Sequence, residues 1–342
     1  MPRPQLAVTM GDPAGIGPEI IAKACARLKP RLDDGALALR IIGSAVALQP
    51  YQDISGRIPV QADASPEQPL AIIDVDADRT PIKTGIVSAA AGKLAYLAIE
   101  KAVRLAEKGE VAAIVTAPLN KEALNLAGYA YSGHTEMLAD LTGARDSVMM
   151  LAHGHFRVSH VSTHVALAQV PSRLTPPRLR RVIDLTAEAL KSLGIARPRI
   201  AVAALNPHAG EGGIFGREDI EVTEPVIGSY ANADFDVIGP IPGDTIFVKL
   251  LAKQYDAVVA MYHDQGHVPV KLLGFNVDPE TGVWKALSGV NVTLGLPIIR
   301  TSVDHGTAFD IAGKGIASED SFIEAIDFAL DLAAARSVSA RA

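Results

Sequence analysis

Cysteine, aromatic residues and clustered positive charge are all scarce in this chain. Cys25 is the only cysteine among 342 residues, so no disulfide framework can form within it. That fits a reducing, cytoplasmic setting, and its place in a helix-like segment reads as a small buried apolar residue rather than a catalytic thiol. Aromatics make up 5% of a chain that is 49% hydrophobic, so Ala, Val, Ile and Leu must fill its interior. The formal net charge is -6 and no long run of Lys or Arg is present, which argues against nucleic acid as a partner. A local cluster of basic side chains can still hold a small anion. No apolar run approaches the ~20 residues of a membrane span. Met1-Pro2-Arg3-Pro4-Gln5 leads into a strand without the apolar core of a secretion signal. Tandem repeats, low-complexity tracts and the G-x-G-x-x-G dinucleotide fingerprint are missing too.

What is present is a rhythm of short apolar runs and amphipathic segments. Residues 6–10, 37–42, 70–75, 111–115, 148–151, 156–162, 199–205, 235–238 and 257–261 read as strands. Residues 88–108 read as a helix with Leu94, Ala98, Ala102 and Leu105 on one face, and 171–193 as mostly helix. Strands alternating with helices predict an α/β fold with a mainly parallel sheet. At ~100–200 residues per domain the length suggests two domains. After the first strand comes GDPAGIGPE at residues 11–19, with Pro18 suited to a first helical turn. Such a loop is either a tight turn or a phosphate cradle built from its N–H groups. Ser132 or Thr135 is expected to cap a helix over 137–141.

The polar residues concentrate at strand ends, above all between residues 256 and 315. His164, His208 and His263 each follow an apolar strand, where open α/β sheets bind ligands. Three neutral imidazoles with an open fourth position suit catalytic zinc or a similar divalent ion, with Asp244 and Asp264 as supporting or basic groups. His153, His155 and His160 read as solvent-facing. Lys271, Asn291, Arg300 and His134 form a set that could hold an anionic substrate, Arg300 in a bidentate fork.

These residues resemble the 4-hydroxythreonine-4-phosphate dehydrogenase (PdxA-type) family over nearly the whole chain. The match rests on GDPAGIGPE, on TAPLNK at 116–121, SGHTE at 132–136, LNPHAGEGG at 205–213 and MYHDQG at 261–266, and on 290–308 and DIAGKG at 310–315. The segment HGTAFDIAGKG also resembles the adenine loop of isopropylmalate and isocitrate dehydrogenases. That implies their fold, two α/β/α domains around a cleft: residues 1–130 with 300–342 carrying the nucleotide loop, and 131–299 carrying the metal ligands and dimer interface. The resemblance implies a homodimer with shared active sites, and His164, His208 and His263 as metal ligands. It implies His134, Thr135, Lys271, Asn291 and Arg300 as substrate-binding, and His305, Gly306, Thr307, Ala308 and Asp310 at the dinucleotide. Lys121, Asp244 and Asp264 are the candidate catalytic bases. The cofactors implied are NAD or NADP and a divalent ion, zinc first, with magnesium or cobalt as alternatives. The implied reaction is oxidation, with decarboxylation, of a phosphorylated four-carbon hydroxy acid such as 4-hydroxy-L-threonine 4-phosphate, as in pyridoxine biosynthesis.

The chain departs from that pattern at residues 276–288, which contain Trp284 and make a longer connection between Lys271 and Asn291, and at His267. Both resemble a catabolic branch acting on D-threonate or D-erythronate 4-phosphate. A branch oxidising cis-dihydrodiol carboxylates has no phosphate to bind, so the intact SGHT segment and Lys271 weigh against it. A metal-dependent phosphatase or a sugar-phosphate sensor would not need the DHGTAFDIAGKG loop.

Overall fold

The computed structural model describes all residues except 1–2, 64–67, 80, 281–283 and 340–342, and omits the side chains of 284–287 and 337–339. Two compact units emerge, one of Met1–Arg145 with Leu296–Ala334, the other principally Asp146–Gly295.

The first unit holds β1 (Gln5–Thr9), β2 (Ala38–Gly43), β3 (Val60–Gln61), β4 (Leu70–Asp74), β5 (Ala113–Thr116) and β14 (Arg300–Val303). They lie in the order β3-β4-β2-β1-β5-β14, all parallel. Strands buried on both faces need continuous apolar runs, and β1, β2 and β5 supply them. The helix Ala89–Glu107 begins where Ser88 accepts a hydrogen bond from Ala91 N–H. Its stripe of Ala98, Ile99, Ala102, Val103 and Leu105 packs into a core with Ala7, Ile42, Ile73 and Ile114. Small residues on that stripe let backbones meet: a Cβ on Gly92 would stand 2.0 Å from the Ala123 carbonyl oxygen.

The second unit holds β6 (Val148–His153), β7 (Phe156–His160), β8 (Arg199–Ala203), β9 (Asp236–Ile241), β10 (Ala257–Ala260) and β13 (Val290–Leu294). Their order is β13-β6-β7-β10-β8-β9, with β6 antiparallel to both its neighbours and the rest parallel. The helix Pro176–Ser192 is capped by Thr175 and buries Leu179, Val182, Ile183 and Leu190. A separate two-stranded hairpin, β11 (Phe275–Val277) with β12 (Trp284–Leu287), forms from the long connection noted above. Asp278 Oδ1 accepts from Glu280 N–H at 2.9 Å in its turn. The expected turn residues Thr281 and Gly282, with Val283, lie outside the described residues. Among the described residues no helix is long and apolar enough to cross a membrane.

Candidate active site

In the first unit, the loop after β1 is held from every side. Gly11 has φ +68, and a Cβ there would lie 2.1 Å from the Pro118 carbonyl oxygen. Asp12 N–H donates to that oxygen at 2.9 Å, Gly15 N–H to Asp12 O at 3.0 Å and Ile16 N–H to Thr307 O at 3.0 Å. Ala14 N–H donates to Asp12 Oδ1 at 2.8 Å. These four amides are therefore engaged within the protein, as a tight turn requires. Pro18 does sit in the first turn of the helix Gly17–Arg27. Asp12 is fully buried and its Oδ2 has no hydrogen-bond partner. Burial pushes its carboxyl up to about 6, against the opposing pull of the Ala14 N–H.

Arg300, the first residue of β14, donates from Nη2 to Thr116 Oγ1 at the C-terminal end of the parallel β5 at 2.8 Å. The Arg300 side chain is buried, and burial pulls its pKa down to about 9. His134 opens the helix His134–Thr142, whose N-cap is Gly133 with no side-chain cap, so neither Ser132 nor Thr135 caps it. Thr135 falls inside the helix instead, because the turn begins earlier than the apolar pattern indicates. The His134 residue is half-buried, yet its Nε2 is closed off from solvent and has no partner. Burial first, and the Arg300 charge second, hold His134 well below the ordinary imidazole range. A neutral imidazole thus sits in the field of a buried guanidinium, an arrangement that favours an incoming anion. Lys121 is the exposed first residue of the helix Lys121–Leu126, capped by Asn120, and its Cε lies 3.8 Å from the position of a Cβ on Gly133.

The nucleotide-type loop, from Asp304 to Gly315, carries no regular element beyond turns. His305 Nδ1 lies 3.1 Å from Gly306 O, Ala308 has φ 44, and Asp310 is exposed. Ala312 and Gly313 line a cavity of about 600 Å³ with Pro13, Ser44, Tyr51 and Thr84. Apolar, aromatic and hydroxyl groups around such a volume suit a nucleoside.

In the second unit, the HDQG residues open the helix His263–Gly274. Gln265 ties the strand ends together: Oε1 accepts from Met261 N–H at 2.7 Å, and Nε2 donates to Ala204 O at 2.8 Å. His263 Nδ1 lies 2.6 Å from Asp264 Oδ1, which directs Nε2 outward as a lone-pair donor. The His164 ring is 5.8 Å from that of His263. His267 stacks on His263 at 3.6 Å, and His160 lies 4.8 Å from His267. His160 is fully buried, which corrects its expected solvent-facing place: β7 is an interior strand covered on both faces. Its ring comes so close that a Cβ on Gly266 would stand 2.3 Å from Nε2. Burial and the neighbouring His267 push His160 down to about 3.

His208 lies in a run of left-handed residues from His208 to Gly212, with φ 52 at His208 and φ 55 at Ala209. Non-glycine residues adopt this region at a cost of ~1–2 kcal/mol each, so the surrounding structure must hold it. Asp219, fully buried, anchors the chain just before this run by accepting from Leu205 N–H and Asn206 N–H, both at 2.9 Å. An open cavity of about 720 Å³ brings His208, Asp244, Tyr262 and Asp264 to one wall. Among the described residues of one chain, no group of three or more His, Cys, Asp or Glu side chains is arranged to hold a metal ion. The imidazoles of His164 and His263, 5.8 Å apart, are donors of a kind that divalent ions accept. Lys271, in the last turn of its helix, has Nζ 5.1 Å from the Phe275 ring, and Asn291 is half-buried in β13.

Sequence reasoning passed over Asp12, Thr116 and Asp219 as site residues. The first two lie inside quoted motifs, but only their tertiary partners reveal what they do.

Comparison with known proteins places this architecture. The model of the family described as pyridoxal phosphate biosynthetic protein PdxA matches residues 27–329. The putative D-threonate 4-phosphate dehydrogenase of Bradyrhizobium diazoefficiens is 67% identical over 98% of each chain. The 4-hydroxythreonine-4-phosphate dehydrogenase of Beijerinckia indica is 44% identical over 96% of this chain and 94% of its own. A crystal structure of 4-hydroxythreonine-4-phosphate dehydrogenase from Klebsiella pneumoniae superposes with a TM-score of 0.81 at 45% identity, covering 97% of this chain and 98% of the other. The fold and these relatives define the chain as an α/β dehydrogenase, an oxidoreductase. It belongs to the PdxA family.

Proposed function

We propose that this enzyme uses NAD or NADP to oxidise the secondary alcohol of a phosphorylated four-carbon hydroxy acid, whose 3-oxo product loses carbon dioxide. D-Threonate 4-phosphate is the favoured substrate, because the relative of that name is 67% identical along nearly the whole chain. The observation that carries an anionic substrate is the buried Arg300 guanidinium with neutral His134 in its field. A second reading, 4-hydroxy-L-threonine 4-phosphate, draws on the name of a 44% identical relative. D-Erythronate 4-phosphate differs only in stereochemistry and stays with the first reading.

A bound nicotinamide would supply the hydride acceptor, and a bound divalent ion would polarise the hydroxyl and carbonyl oxygens. The chain's own residues then have distinct tasks. His134, Thr135, Lys271, Asn291 and Arg300 orient phosphate and carboxylate. Lys121, Asp244 and Asp264 are the candidates to receive the alcohol proton. His305, Gly306, Thr307, Ala308 and Asp310 hold the dinucleotide. His164, His208 and His263 would hold the metal, zinc first, with Asp264 fixing the tautomer of His263.

The first unit is read as the nucleotide domain, the second as the metal and dimer domain. Support for a homodimer comes from apolar side chains exposed on the second unit: Ile214, Phe215, Val248, Val268 and Leu272, the last 80% exposed. A second copy would cover them and complete the metal set. The single cysteine suits the cytoplasm.

The test is NAD and NADP reduction, with carbon dioxide release, against D-threonate, D-erythronate and 4-hydroxy-L-threonine 4-phosphates. Release of inorganic phosphate without nucleotide reduction would replace this reading with a phosphatase.

A further inference from the structure

We propose that Glu19 and Lys23 form a clamp that sets the shape of the nucleotide loop and thereby the enzyme's affinity for the dinucleotide. The inference rests on residues 305–315 being that loop.

Both residues stand on the helix Gly17–Arg27, one turn apart. Glu19 is fully buried although it carries a carboxylate. Its Oε1 accepts from Ala317 N–H at 2.8 Å and its Oε2 from Gly315 N–H at 3.3 Å. Lys23 Nζ donates to the carbonyls of the same two residues, Gly315 at 2.9 Å and Ala317 at 2.6 Å, and to Glu19 Oε1 at 2.9 Å. The acid therefore takes the amides, the ammonium takes the carbonyls, and the two neutralise each other. Charge-assisted bonds of this kind are about twice as strong as neutral ones, and stronger where solvent is shut out.

The same segment holds the other end of the loop. Ile16 N–H donates to Thr307 O at 3.0 Å, and a Cβ on Gly15 would stand 2.9 Å from that oxygen. Between the two anchor points the backbone turns through left-handed residues at Ala308, Gly313 and Gly315. Its own bonds there are short-range, Ile311 N–H to Ala308 O and Lys314 N–H to Ile311 O, both 3.1 Å. Ala312 and Gly313 lie in this span and line the 600 Å³ cavity beside Pro13, Ser44 and Tyr51. A loop with so little internal structure would sample many conformations if released. A dinucleotide would then have to order it on binding, at a cost in affinity. Apart from their bond to each other, the hydrogen bonds of Glu19 and Lys23 go to backbone, so they are positioning residues rather than catalytic ones.

Glu19→Gln keeps the size but turns one accepting oxygen into an NH2 that faces a peptide N–H. Lys23→Met removes the ammonium, and Lys23→Arg retains charge and donors. In the full-length enzyme, Glu19→Gln and Lys23→Met should raise KM for NAD and its Kd by calorimetry at least tenfold. Both kcat at saturating NAD and KM for the phosphorylated substrate should stay within twofold, and Lys23→Arg should recover most of the affinity. His305→Ala and Asp310→Ala serve as loop controls. If the controls weaken NAD binding while folded Glu19→Gln and Lys23→Met do not, the clamp is wrong and the loop reading stands. If neither set alters NAD affinity, both fall. Should Glu19→Gln fail to fold, the Lys23 pair decides: equal NAD affinity in Met and Arg variants overturns the proposal.

Discussion

Arg300 and Thr116 are joined by a 2.8 Å hydrogen bond between adjacent parallel strands, with the guanidinium buried behind it. The hydroxyl is a neutral acceptor, so it fixes the direction of the guanidinium without neutralising its charge. Thr116→Val keeps the shape and deletes the acceptor. Loss of about 1–2 kcal/mol of orientation is expected to raise KM for the phosphorylated substrate roughly 5–30-fold with little change in kcat. Arg300→Lys should lower kcat/KM by about 100-fold or more, because a point charge cannot replace the fork. Steady-state kinetics of both variants checks this, and an unchanged KM in each would remove Arg300 from the anion site.

Asp12 gives the stability a definite pH dependence. Its pKa rises from 3.8 to about 6 on folding, chiefly through burial. An acid raised in this way opposes folding once it must ionise: the penalty is absent below pH 3.8, grows from there to pH 6 and is complete above it. Asp12→Asn should therefore be more stable than the natural chain at pH 8, by about 1–3 kcal/mol, and show almost no difference at pH 4. Urea unfolding at the two pH values measures it; the same difference at both would mean that ionisation of Asp12 is irrelevant.

The contact between Gly92 and the Ala123 carbonyl leaves no room for a methyl group. Gly92→Ala puts Cβ 2.0 Å from a backbone oxygen, so a helix must move. A loss of about 2–3 kcal/mol is expected, visible as a lower Tm. Gly228→Ala meets nothing within 4 Å and should change stability by less than about 0.5 kcal/mol.

For the proposed metal ligands the expectation is loss of ion with survival of fold. His208→Ala or His263→Ala should abolish most activity and most bound divalent ion, measured by elemental analysis, while the circular dichroism spectrum is retained. Full metal content with normal turnover in both variants would end the assignment.

The hairpin of β11 and β12 starts four residues after Lys271 and ends just before Asn291. Replacing residues 277–288 with a direct link from Asn276 to Gly289 should leave NAD affinity and metal content nearly unchanged. It should lower kcat/KM for D-threonate or D-erythronate 4-phosphate more than tenfold, roughly 1.4 kcal/mol or more. A folded deletion variant with natural kcat/KM on every phosphate would make the hairpin mere surface.

Much of this protein was readable along the chain. The run Ala113–Thr116 is strand because four consecutive buried residues between a helix and TAPLNK leave no other economical arrangement in an α/β chain. The helix over 89–107 announced itself by the 3.6-residue spacing of Leu94, Ala98, Ala102 and Leu105, while only the structure shows Ser88 as its cap. The histidines at strand ends, and the motifs that mark the family, are likewise local patterns. What tertiary structure decided was every property that depends on a partner distant in sequence. That the amides of Asp12 and Ile16 meet the carbonyls of Pro118 and Thr307 is decided by where those carbonyls lie. His160 follows a polar-looking stretch, yet it is buried because β10 and β6 flank its strand. Glu19 looks like an ordinary first-turn acid, and only the return of residues 315 and 317 turns it into an interior group. Periodicity and propensity are encoded within a turn or a pleat of the chain. Burial and hydrogen-bond satisfaction are fixed only when segments nearly three hundred residues apart come into contact.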